Sequence, residues 1–127
     1  MDEETKFQWA EGMKYALEGI KAIFVLNGAA TVSILTFVGN TKTKSDFLVY
    51  AMIFFAIGTL TGPVSFCFAY LTQLTYGNSF RSGGNRTSGN KFHYLTYFAV
   101  VCGMLFFICG IAFAGFGFLE SNVNLPK

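Results

Sequence analysis

Polar and apolar positions along this chain separate into long blocks. Between Lys21 and Lys42 lie 20 residues without Asp, Glu, Lys or Arg, between Asp46 and Arg81 lie 34, and between Lys91 and Glu120 lie 28. An α-helix rises ~1.5 Å per residue, so ~20 apolar residues cross the ~30 Å hydrocarbon core of a bilayer. The pattern predicts three spans near 22–39, 49–71 and 94–118. Backbone inside lipid must satisfy its own hydrogen bonds, so the spans are expected to be helices. The first span is the least apolar. It contains Asn27, followed by Gly28, Ala29 and Ala30, and Ile23–Leu26 with Ile34, Leu35, Phe37 and Val38 compensate.

The segments between the spans have a different pattern. Over 4–21, Trp9, Ala10, Met13, Ala16, Leu17 and Ile20 fall on one arc of about 120° at helical spacing, with Gln8, Glu11, Lys14, Tyr15, Glu18 and Lys21 opposite. This predicts an amphipathic N-terminal helix over 1–21, with Trp9, Met13, Leu17 and Ile20 as an interfacial or oligomer face. Glu11–Lys14, Lys14–Glu18 and Glu18–Lys21 stand at helical pair spacings. Residues 40–46 form a short polar turn, which makes the first two spans antiparallel neighbours. Residues 77–91, GNSFRSGGNRTSGNK, read as a flexible linker. The expected organisation is a helix over 1–21, a three-helix transmembrane domain over 22–119 and a polar tail over 120–127. The fold class is an all-α membrane protein.

Composition agrees with the pattern. Charged residues are 13%, against ~25% in ordinary globular chains, while apolar residues are 53% and aromatics 18%, with 16 Phe. Mean hydropathy is +0.47. A soluble chain of 127 residues cannot bury that much apolar surface. Disorder, a solvated enzyme and a secreted disulfide scaffold are excluded. The segment before the first span is acidic (Asp2, Glu3, Glu4) and lacks a basic n-region, so the span is expected to be retained rather than cleaved. Lys6, Lys14, Lys21, Arg81, Arg86 and Lys91 lie on one side of a three-span topology, and Lys42, Lys44 and Lys127 on the other. The positive-inside rule then puts the N-terminus and the second loop in the cytoplasm. Asn85-Arg86-Thr87 matches a glycosylation sequon, but a cytoplasmic loop never meets the glycosylation machinery.

No Asp, Glu, Lys or Arg lies inside a span, which argues against proton-coupled transport, voltage sensing and intramembrane acid–base chemistry. The single His, His93, stands at the membrane boundary. Cys67, Cys102 and Cys109 have no zinc-ligand spacing and read as small packing residues. No cofactor, metal or nucleic acid is expected. What the spans carry is small-residue stripes. Gly58-Thr59-Leu60-Thr61-Gly62 is a GxxxG pattern, extended by Ala51, Ser65, Ala69 and Thr72 and followed by Pro63. The third span has Thr96, Ala99, Gly103, Gly110, Ala114 and Gly117, and the first has Ala29, Ser33 and Thr36. Small residues let helices approach where lipid supplies no hydrophobic drive. Three stripes together with the amphipathic N-terminal helix exceed what one small monomer can bury, which predicts a homo-oligomer. Asn27, with Thr31 one turn on, reads either as an interhelical hydrogen-bonding residue or, with Thr61 and Ser65, as the lining of an oligomeric pore.

The first helix, AIFVLNGAATVSILTFVG over 22–39, resembles a family of small bacterial inner-membrane proteins with a Leu-Asn-Gly-Gly/Ala-Ala core, here Leu26, Asn27, Gly28, Ala29 and Ala30. Phe55-Ala56-Ile57-Gly58 and Ala69-Tyr70-Leu71-Thr72-Gln73 are similar to its second helix. The resemblance covers about Leu17 to Gln73. It implies three spans and a bacterial or phage origin, and carries no activity. Two functions follow as expectations. One is a non-enzymatic scaffold or accessory protein that meets the bilayer, its own copies and an unidentified membrane partner. The other is a small oligomeric pore or channel, such as a bacterial or phage membrane effector.

Overall fold

The computed structural model describes residues 3–42, 44–82 and 87–123. They form three helices, α1 (Glu3–Thr41), α2 (Asp46–Ser82) and α3 (Thr87–Val123), of 39, 37 and 37 residues. All three are long and apolar enough to cross a membrane, over Phe7–Thr41, Asp46–Ser79 and Thr87–Ser121. At ~1.5 Å per residue each is about 55 Å long, well beyond the ~30 Å hydrocarbon core. The architecture is that of a multi-pass membrane protein.

The helices run up, down and up with α2 in the middle. It packs most extensively on α3 and next on α1, and α1 and α3 barely meet. The register is set by glycines that receive side chains from the neighbouring helix. On the α1–α2 side Gly58 lies under Asn27 and Gly62 under Phe24. On the α2–α3 side Leu48 meets Gly117, Phe55 meets Gly110, Thr61 meets Gly103 and Tyr76 meets Gly89. Both ends of that seam are tied. Ser45 Oγ donates to the Glu120 carboxylate at 2.6 Å, and Tyr76 Oη donates to Asn90 Oδ1 at 2.6 Å. The core around Ile34, Leu48, Ala51, Phe55 and Ala114 lies near the Ser45 end.

Aromatic side chains run along the α2–α3 seam. Phe113 stacks on Phe54 at 5.1 Å between centroids and also meets Phe47 and Tyr50, while Phe106 and Phe116 extend the row. Phe55–Phe107 and Phe37–Phe118 pair elsewhere in the bundle. The abundance of Phe thus serves helix pairing as well as lipid solvation.

Three boundaries differ from the sequence reading. The amphipathic segment is no separate helix: α1 runs unbroken through Lys21 into the first span, because nothing in 4–30 forbids helical backbone and Gly12 and Gly19 are tolerated. Of its three anticipated ion pairs, Glu11–Lys14 and Glu18–Lys21 form. The 77–91 linker is also mostly helical, with α2 continuing to Ser82 and α3 starting at Thr87. Residues 83–86, which include two positions of the sequon, lie outside the described residues. Its Gly89-Asn90 pair is a packing element, since a Cβ at Gly89 would stand 2.5 Å from the Tyr76 ring. The tail begins later than residue 120, because α3 extends to Val123. The 40–46 turn is close to expectation. α1 closes with Lys42 in the left-handed region (φ 51°), and the Ser45 carbonyl accepts the Val49 N–H of the next helix.

Candidate functional site

Asn27 enters between α2 and α3 and meets Gly58 and Gly103. Asn27 is 1% exposed. Its Nδ2 donates to the Ile23 carbonyl of its own helix at 3.0 Å and to the Gly103 carbonyl of α3 at 3.4 Å. Its Oδ1 is buried and accepts no conventional hydrogen bond. That oxygen faces Gly58, where an added Cβ would overlap it. The hydrogen that occupies this direction on Gly58 points at Oδ1, a Cα–H···O contact of the kind common between close-packed helices. Exchanging the amide nitrogen and oxygen would set an acceptor against two carbonyls, so the orientation follows from its partners. One amide therefore touches all three helices.

The hydroxyls nearby are satisfied locally. Thr31 donates to the Asn27 carbonyl at 2.9 Å, Thr61 to the Gly58 carbonyl at 2.7 Å and Ser65 to the Thr61 carbonyl at 2.7 Å. Thr59 and Thr72 bond backwards along their own helix in the same way. Such bonds satisfy a hydroxyl within apolar surroundings without a partner helix. Thr61 also packs on Gly103, beside Ile23. Of the four residues expected to line a path, the structure brings Asn27 and Thr61 together over Gly103. Thr31 and Ser65 lie a turn away on opposite sides. Within the monomer the group lies along the three-helix seam.

The expected packing residues divide. Gly58, Gly62, Gly103 and Gly110 receive side chains within the monomer, and Ala99 and Ala114 are buried there. The α2 and α3 stripes are thus used inside one chain, which corrects the expectation that a monomer could not bury them. Ala29 and Ser33 are exposed. Ser33 borders an open groove of about 400 Å³ between α1 and α3, with Ala30, Ala114 and Gly115. The Trp9 face divides too. Ile20 is buried in the bundle, Met13 and Leu17 border a furrow between α1 and α2, and Trp9 is 55% exposed. Ile20 is therefore no free oligomer face. His93 lies edge-on to Tyr97 at 4.8 Å, in an aromatic setting with Tyr94. Among the described residues no group of three His, Cys, Asp or Glu is placed to hold a metal ion.

Sequence reasoning missed the pairs Leu48–Gly117 and Tyr76–Gly89 and the row centred on Phe113. A signal for the first was present in the seven-residue spacing of Gly103, Gly110 and Gly117. Comparison with protein-family models, with curated proteins and with solved structures gave no significant match.

Proposed function

We propose that this chain is a non-enzymatic scaffold or accessory protein of a bacterial cytoplasmic membrane, acting through contacts within the bilayer and associating with its own copies. The observation that supports this reading is the three-helix seam. Asn27, Thr61 and Ser65, polar groups within the spans, bond to helix backbone at the seam. Self-association would use the groove between α1 and α3. Its small residues Ala30, Ser33, Ala114 and Gly115 permit the close approach that lipid-embedded helices need. The excess of Lys and Arg in the N-terminal segment and around 81–91 favours a cytoplasmic N-terminus.

Two measurements test the reading. Protein reconstituted in lipid nanodiscs should show more than one copy per particle by stepwise photobleaching. Replacing Gly115 with Trp, which fills the groove, should reduce it to one. Liposomes containing the wild type should not leak ions. A strictly monomeric wild type would sink the self-association, and a leak abolished by Asn27→Leu would return the function to the pore reading.

A further inference from the structure

We infer that the furrow between the N-terminal half of α1 and the C-terminal half of α2 holds one acyl chain of a phospholipid whose headgroup carries both a phosphate and an amine. Two adjoining cavities, of about 290 and 200 Å³, share Ile20 and Phe66 and so form one furrow. It runs from Gly62 and Pro63 at the deep end to Lys14 and Gln73 at the other. The surface between is almost wholly apolar, floored by Leu17 and Ala69.

Length and depth fit one leaflet. From Gly62 to Gln73 the helical rise gives about 16 Å, and half of a ~30 Å hydrocarbon core is ~15 Å. The charge-free stretches 22–41, 47–80 and 92–119, aligned by the glycine contacts, have midpoints whose average lies near the level of Asn27, Thr59 and Phe106. The furrow starts just beyond that level and ends where Lys14 stands. Lys21, at intermediate depth, reaches outward along its own alkyl stem, bonded to Glu18 at 2.8 Å. The charged residues that line the furrow, Lys14 and Lys21, are each paired along α1, with Glu11 and with Glu18, so the rim carries no net charge. Such a rim complements a headgroup that is itself a phosphate–ammonium pair and gives no net attraction to a purely anionic one. That selects phosphatidylethanolamine over phosphatidylglycerol.

The test is native mass spectrometry of the full chain, with the two lipids added in equal amounts. The wild type should keep a single phosphatidylethanolamine through activation that strips phosphatidylglycerol. Ala69→Trp, which fills the furrow, should lower the retained fraction at least tenfold. Lys14→Gln with Gln73→Leu, both at the surface, should lower it severalfold with unchanged circular dichroism. Equal retention of both lipids, or retention unaffected by the surface pair, overturns the proposal. A wild-type dimer that Ala69→Trp dissociates would assign the furrow to a second copy and overturns it as well.

Discussion

At the residue scale the bundle is decided by which glycines meet which side chains. A Cβ at Gly103 would overlap the Thr61 hydroxyl and stand 2.8 Å from Ile23 Cγ2, whereas one at Gly115 would meet nothing within 4 Å. Gly103→Ala should therefore destabilise the fold by about 1–3 kcal/mol, the usual cost of overpacking. Gly115→Ala should be neutral or stabilising by up to ~1 kcal/mol through helix propensity. Thermal unfolding in detergent, followed by circular dichroism, separates the two. Asn27→Leu removes donors to two carbonyls and should cost about 0.6–2 kcal/mol, the range for interhelical polar contacts in membranes. Gly58→Ala should be costly beside Asn27 and much less so beside Asn27→Ala, because truncation vacates the space the new methyl needs. A double-mutant cycle measures that coupling, and strict additivity would refute direct contact as the cause. That Asn27 needed a partner was legible in the sequence, since an amide in hydrocarbon cannot stand alone. Which carbonyl and which glycine it would meet was not, because both depend on the register of three helices.

At the scale of elements, the three spans could be read because charge is excluded from hydrocarbon and marks their limits directly. The ends of the helices could not be read in the same way. The periodicity of residues 4–21 differs from that of the first span, but a change from amphipathic to apolar pattern does not bend a backbone that lacks a breaker. The Gly/Ser/Asn content around residue 89 suggested a linker, yet Tyr76 covers Gly89 and bonds Asn90, which holds those turns together. Gly89→Leu should accordingly increase amide exchange over 76–82 and 87–93 while leaving 46–60 protected, as read by hydrogen–deuterium exchange mass spectrometry. The aromatic row makes a parallel case. Phe113 meets Phe47, Tyr50 and Phe54, contacts worth about 0.5–1.5 kcal/mol each. Phe113→Ala should lower the melting temperature clearly more than Phe98→Ala, whose ring is 68% exposed.

At the scale of the whole molecule, the small-residue stripes show where sequence reading stops. A stripe states that something approaches closely, and the same stripe serves a neighbour in the same chain or in another copy. Here the α2 glycines Gly58 and Gly62 receive α1, the α3 glycines receive α2, and the surface of Ala29, Ser33 and Gly115 is left outward. The three helices are nearly equal in length, and the glycine contacts keep them in register. On α3 the receiving positions Gly103, Gly110 and Gly117 recur every seven residues, with Gly89 two such steps earlier. On α2 Leu48 and Phe55 keep the same step. A seven-residue recurrence is the interval after which a gently supercoiled helix presents the same side again. One residue inserted between Leu48 and Phe55 would turn the rest of α2 by about 100° and misalign every later pair. Seven added at one level of all three helices would lengthen the rod by about 10 Å and leave each pair facing its partner. The seam thus acts as a ruler with one allowed graduation, so this architecture can be fitted to a thicker membrane only by whole steps of that size.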